Sequence, residues 1–101
     1  MDYILNNKAA WEEAFDHKRE GWGDENHLRL LHETLPFFCS DAAAELRALD
    51  LKGKRVAQFC CNNGRELLSL MQLGAAGGVG FDIAENILQQ ARATAQKANI
   101  Q

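Results

Sequence analysis

The sequence predicts an α/β fold, with helices first and an alternating β-α-β-α run after them. Three observations carry this. Residues 55 to 60 are a short, largely apolar run between Gly53 and the turn Cys61-Asn62-Asn63-Gly64. A helical stripe of Leu67, Leu70 and Met71 follows and is closed by Gly74. A second short run, Val79 to Asp82, then leads into a longer helical pattern. Consecutive parallel strands need a crossover helix between them, and this order supplies one.

Taken in order, Asn7 is the candidate cap of a first helix whose apolar stripe is Ala10, Trp11, Ala14 and Phe15. Gly21 and Gly23 interrupt the pattern around Trp22. Asp24 is the candidate cap of a second helix, with Leu28, Leu31 and Leu35 on its inner face and Pro36 ending or bending it. Ser40 or Asp41 caps a third, which turns Ala43, Leu46 and Leu49 inward. Gly53 is the pivot of a polar turn, and Arg55 to Cys60 has the signature of a strand buried on both faces. Gly74 is expected in the left-handed conformation just past the crossover helix. The last helix runs from Glu85 to about Asn99, with Ile87, Leu88, Ala91, Ala95 and Ala98 on one side. Two parallel strands leave both sheet edges open and most of one face uncovered. The chain therefore reads as the truncated front part of a larger fold, with pairing to a second copy as the alternative.

Composition excludes several classes. A chain of 101 residues is one domain at most, and 47% hydrophobic with 25% charged residues is ordinary for a globular protein. A formal charge of −3 gives no basic surface for phosphate recognition, so no nucleic acid is expected. Charges interrupt every apolar stretch before membrane-spanning length, so no membrane is expected either, and the cytoplasm is the default setting. Cys39, Cys60 and Cys61 form neither a disulfide framework nor a zinc motif, and His17, His27 and His32 carry no ligand spacing, so no metal is assigned. The vicinal cysteines read as small core residues pointing to opposite sides.

The candidate site lies where open parallel sheets bind ligands, at the carboxyl ends of the strands. Here those ends are Cys60 to Gly64 and Asp82-Ile83. Gly64 allows a sharp turn and a close ligand approach. Asp82, eighteen positions after Gly64, can accept hydrogen bonds from the two hydroxyls of a ribose, and Ile83 can lie against an adenine. Asp82 as a helix N-cap is the structural alternative. A dinucleotide turn, Gly-x-Gly-x-x-Gly, would place its glycines at Cys60, Asn62 and Arg65, and none matches. The shorter Gly-x-Gly-x-Gly spacing maps to Cys60, Asn62 and Gly64, of which one is glycine.

Residues 51 to 98 resemble the opening of a class I S-adenosylmethionine-dependent methyltransferase. The family's first motif, commonly Val-Leu-Asp-Leu-Gly-Cys-Gly-x-Gly, lines up with Val56-Ala57-Gln58-Phe59-Cys60-Cys61-Asn62-Asn63-Gly64. Its Gly-Val-Asp-Ile-Ser segment lines up with Gly80-Phe81-Asp82-Ile83-Ala84. Gln58 stands where the family usually has an acid, and Cys60 and Asn62 stand where it has glycines. The resemblance implies a helical cap over residues 1–50 and a partial Rossmann-like domain over 51–101, with S-adenosylmethionine as cofactor. It assigns cofactor contacts to Gln58, Cys60, Asn62, Gly64, Asp82 and Ile83. Trp11, Phe15 and Trp22 are aromatics that can close over the ligand, with a place in the core as the commoner role for aromatics at helical spacing. The expected function is methyl transfer to a small-molecule acceptor, this chain supplying the cofactor-binding half-site. Any catalytic base would follow the later strands, so none is assigned and the chain alone is expected to be inactive. The rival expectation is a non-catalytic α/β module completed by a partner or by self-association through its open sheet edges.

Overall fold

The structure is a computed structural model and describes residues 2–100. In chain order its elements are α1 (Tyr3–Asp16), α2 (Asn26–His32), α3 (Ser40–Ala48), β1 (Arg55–Phe59), α4 (Arg65–Met71), β2 (Gly77–Phe81) and α5 (Glu85–Lys97). The expected order of elements is the observed one, and β1 and β2 pair in parallel with Arg55 opposite Gly77 and Phe59 opposite Phe81. The architecture is thus α/β with a small two-stranded parallel sheet.

Helix α1 starts five residues earlier than expected. Asp2 is its cap, with Oδ1 accepting from the backbone N–H of Ile4 and Leu5 at 3.0 and 3.1 Å. Asn7 is consequently well inside the helix. Neither Asp24 nor Asp41 caps a helix: Glu25 precedes α2 and Cys39 precedes α3, both without a side-chain cap bond.

Helix α4 organises the packing. Its Leu67 and Met71 lie against the sheet, where the glycines of β2 leave room for them: a Cβ on Gly78 would meet Met71 Sδ at 3.2 Å and Leu67 Cδ1 at 3.4 Å. Leu68 faces the other way and forms a core with Leu30 of α2 and Ala98, against which Phe37, Ala95 and Ile100 pack. The inner residues of α2 are therefore Leu30 and the following Leu35, while Leu28 and Leu31 are exposed, contrary to the expected stripe. Two turns of helix are too short for periodicity to fix a face.

Just after α4, Gln72 completes the end of α2. Its Nε2 donates to the carbonyls of Leu30 and Glu33, each at 2.8 Å, and its Oε1 accepts from Leu35 N at 2.7 Å. These are backbone groups that a helix terminus leaves without partners.

Strand β1 is not buried on both faces. Val56 and Gln58 are half-buried on the α4 side, while Arg55, Ala57 and Phe59 are exposed. On β2, Val79 and Phe81 share that open face, and the rings of Phe59 and Phe81 stack with centroids 5.2 Å apart. No layer of the described residues covers this side.

Candidate functional site

The loop after β1 sets the site. Cys60 and Asn62 both have φ +55° and Gly64 has φ +76°, so three alternate residues are left-handed. L-residues avoid this region because Cβ crowds the carbonyl that follows. These are the three positions that the Gly-x-Gly-x-Gly spacing marks, and each has the left-handed backbone that glycine adopts most readily. Its consequence is geometric: Cys60 turns out to solvent while Cys61 is buried against the sheet. Gly80 leaves the space that Cys61 fills, since a Cβ there would lie 2.8 Å from Cys61 Sγ. Burial, with a smaller contribution from the Asp82 charge, pushes the Cys61 thiol pKa up and leaves it protonated and inert.

Asp82 ties the two strand ends together. Its Oδ2 accepts from Asn62 N at 2.9 Å across the crevice, and its Oδ1 accepts from Ala84 N at 3.1 Å. The second bond is an Asx-type turn that leads into α5. The N-cap position of α5 belongs to Ala84, not Asp82. A carboxylate offers about four lone-pair positions, so the two taken by N–H groups leave room for further donors.

Cys60, Asn62, Asp82 and Ile83 line one cleft of about 310 Å³, together with Ala84 and Ile87 and, from α1, Asn7 and Trp11. Four of the six expected contact residues are thus brought together. Gln58 and Gly64 are not on the wall of this cleft. Gln58 shares the α4 face of β1, and its Oε1 is buried with no hydrogen-bond partner among the described residues. Gly64 approaches α5 instead of the cleft: a Cβ on it would lie 3.1 Å from Ala91 Cβ. Phe15 and Trp22 line a second cleft of about 350 Å³ that adjoins the first.

Helix α1 is held over the site by polar bonds to the start of α5. Glu12 Oε2 accepts from Glu85 N at 3.1 Å, capping α5 from another helix. Asn86 Nδ2 donates to the Glu12 carbonyl and to Asp16 Oδ1, both at 2.9 Å. Gln90 extends the brace, donating to the Trp22 carbonyl at 2.8 Å and accepting from the buried Asn63 Nδ2 at 3.0 Å. A Cβ on Gly23 would stand 2.5 Å from Gln90 Oε1 and 2.9 Å from Asn63 Nδ2, so both side chains of this brace would have to shift. Sequence reasoning missed Asn7 and Ile87 as wall residues. Asn7 precedes Trp11 by four and so shares its helical face, a signal that its reading as a cap obscured.

No family model matches the chain. Among curated proteins, it is 38% identical over 55 residues to the ribosomal protein L11 methyltransferases of Enterobacter sp. (strain 638) and Klebsiella pneumoniae (strain 342). It is 36% identical over 55 residues to the protein of that name from Pectobacterium carotovorum subsp. carotovorum (strain PC1). These relatives are methyltransferases. The aligned part is 54% of this chain and 19% of each relative, so the chain spans about a fifth of the length of the curated relatives it matches. Their name specifies a ribosomal protein as acceptor, which overturns the expectation of a small-molecule acceptor. A formal charge of −3 bears on nucleic acid and does not distinguish a small-molecule acceptor from a protein. None of the described helices is long and apolar enough to cross a membrane.

Proposed function

We propose that this chain supplies the S-adenosylmethionine-binding half-site of a class I methyltransferase whose acceptor is a protein, as the name of its relatives suggests. The observation that carries the proposal is the left-handed alternation at Cys60, Asn62 and Gly64, the positions where the family's first motif has its glycines, beside Asp82. In this reading, residues 51–101 are part of a Rossmann-like cofactor domain and residues 1–50 its helical cap. The three free thiols accord with a cytoplasmic setting.

The donor set suits the cofactor. Asp82 keeps acceptor capacity for ribose hydroxyls, Ile83 offers an apolar surface for adenine, and Cys60 and Asn62 line the path between. Gly64 acts by shaping the turn and admitting α5. Gln58 stands in place of the family's acid, but its orphaned Oε1 is buried and lines neither cleft, so it makes no direct contact in this reading. When bound, the cofactor supplies a methyl group already activated as a sulfonium, so alignment is the main task left to the protein. We assign no catalytic residue here, and binding without turnover is the expected behaviour of the 101-residue chain.

Calorimetric titration of the purified chain with S-adenosylhomocysteine tests this. Saturable binding is expected, weakened about tenfold or more in Asp82→Ala, the loss of roughly 1.4 kcal/mol or more. Circular dichroism establishes that both proteins are folded. No saturable binding by a folded wild-type chain would refute the proposal.

A further inference from the structure

The second cleft differs in chemistry from the first. Asp82 is the one charged residue on the wall of the first, whereas the second is lined by Lys18 and Arg19 with Trp11, Phe15, Trp22 and Asn62, and by no acid. The two share Trp11, Asn62 and Ile87, so they form one continuous surface with an anionic and a cationic end. Among the described residues, neither Lys18 nor Arg19 has a carboxylate within 4.0 Å. Two acids of α1 are engaged elsewhere: Glu12 binds Lys8 and Glu85 N, and Asp16 binds Asn86. Lys18 Nζ is held 4.6 Å from the centroid of the Phe15 ring, a contact that positions the ammonium without neutralising it.

We propose that Lys18 and Arg19 form a carboxylate subsite for the amino-acid tail of the cofactor, across Asn62 from the Asp82 nucleoside subsite. This rests on the functional reading above. The ligand has a matching polarity: a ribose diol that donates hydrogen bonds at one end and a carboxylate at the other. Charge-assisted bonds from Lys and Arg are the strong ones for such a group. The cap would then recognise the ligand directly, and not only cover it.

The test uses three ligands on the full 101-residue chain: S-adenosylhomocysteine, its decarboxylated analogue S-adenosyl-3-thiopropylamine, and 5′-methylthioadenosine. Titration calorimetry on the wild type and on the double variant Lys18→Gln/Arg19→Gln reads the result. The variant is expected to weaken S-adenosylhomocysteine about tenfold and to leave the two ligands without a carboxylate unchanged. Equal weakening of all three, or of none, would overturn the subsite while the nucleoside site stands. Wild-type protein that binds 5′-methylthioadenosine but gains nothing from the carboxylate would overturn it in the same way. A folded wild type that binds none of the three would overturn the functional reading, and the subsite with it.

Discussion

At Cys60 the chain accepts a backbone conformation that its side chain disfavours, with φ +55°. The cost for an L-residue is on the order of 1–2 kcal/mol. Replacement by glycine removes that strain but adds unfolded-state freedom costing roughly 0.5–1 kcal/mol. Cys60→Gly is therefore expected to leave stability unchanged or raise it by up to about 1 kcal/mol. Cys60→Val, with a branched Cβ in the same region, should lose about 1–2 kcal/mol. Urea denaturation of the two variants decides it, and a glycine variant clearly less stable than wild type would show that the thiol contributes more than the strain costs. Asn62 has the same φ with a smaller penalty, since asparagine tolerates this region better than most residues.

Among elements, the junction of α2 and α4 combines the Leu30–Leu68 contact with the polar bonds of one side chain. Gln72 makes three hydrogen bonds to the backbone of residues 30–35, spanning 37 to 42 positions in the chain. Gln72→Ala leaves two carbonyls and one N–H there without their partner, and a loss of about 2 kcal/mol is expected. Thermal unfolding with amide-exchange mapping would measure it, with the largest change in α2; an unchanged melting temperature would contradict this account. The order of helices and strands was legible in sequence because it follows from glycine punctuation and periodicity over adjacent residues. The braces were not. Gln72, Gln90 and Glu12 join segments 37 to 73 positions apart, and a single polar residue has no periodic signature. Burial of β1 was misjudged for a related reason: an apolar run shows what a strand can bury, and the layers available decide what it does bury. At the site, register brings out Cys60, Asn62, Asp82 and Ile83 and helical spacing brings out Trp11 and Phe15 of α1, whereas Asn7 on the cleft wall required the fold.

For the molecule as a whole, the two faces of the site differ in rigidity. The loops after β1 and β2 are stitched to each other through Asp82 and backed by α4. Helix α1 buries none of its residues and is held mainly by the Glu12 and Asp16 bonds to α5. Local opening costs least where little apolar surface is buried. Amides of α1 are thus expected to exchange with solvent faster than those of α4, and to slow when S-adenosylhomocysteine is added, because in the proposed binding mode the ligand bridges α1 and the loops. Hydrogen–deuterium exchange followed by mass spectrometry reads both effects. Equal protection of α1 and α4 in the free chain would argue against an easily opened cap.

The three left-handed residues of the β1 loop have a consequence for how such sites are recognised. What the turn demands at positions 60, 62 and 64 is a torsion angle, and glycine is only the least costly residue that meets it. A pattern spelled in glycines finds one letter in three here. A pattern spelled in φ values finds all three.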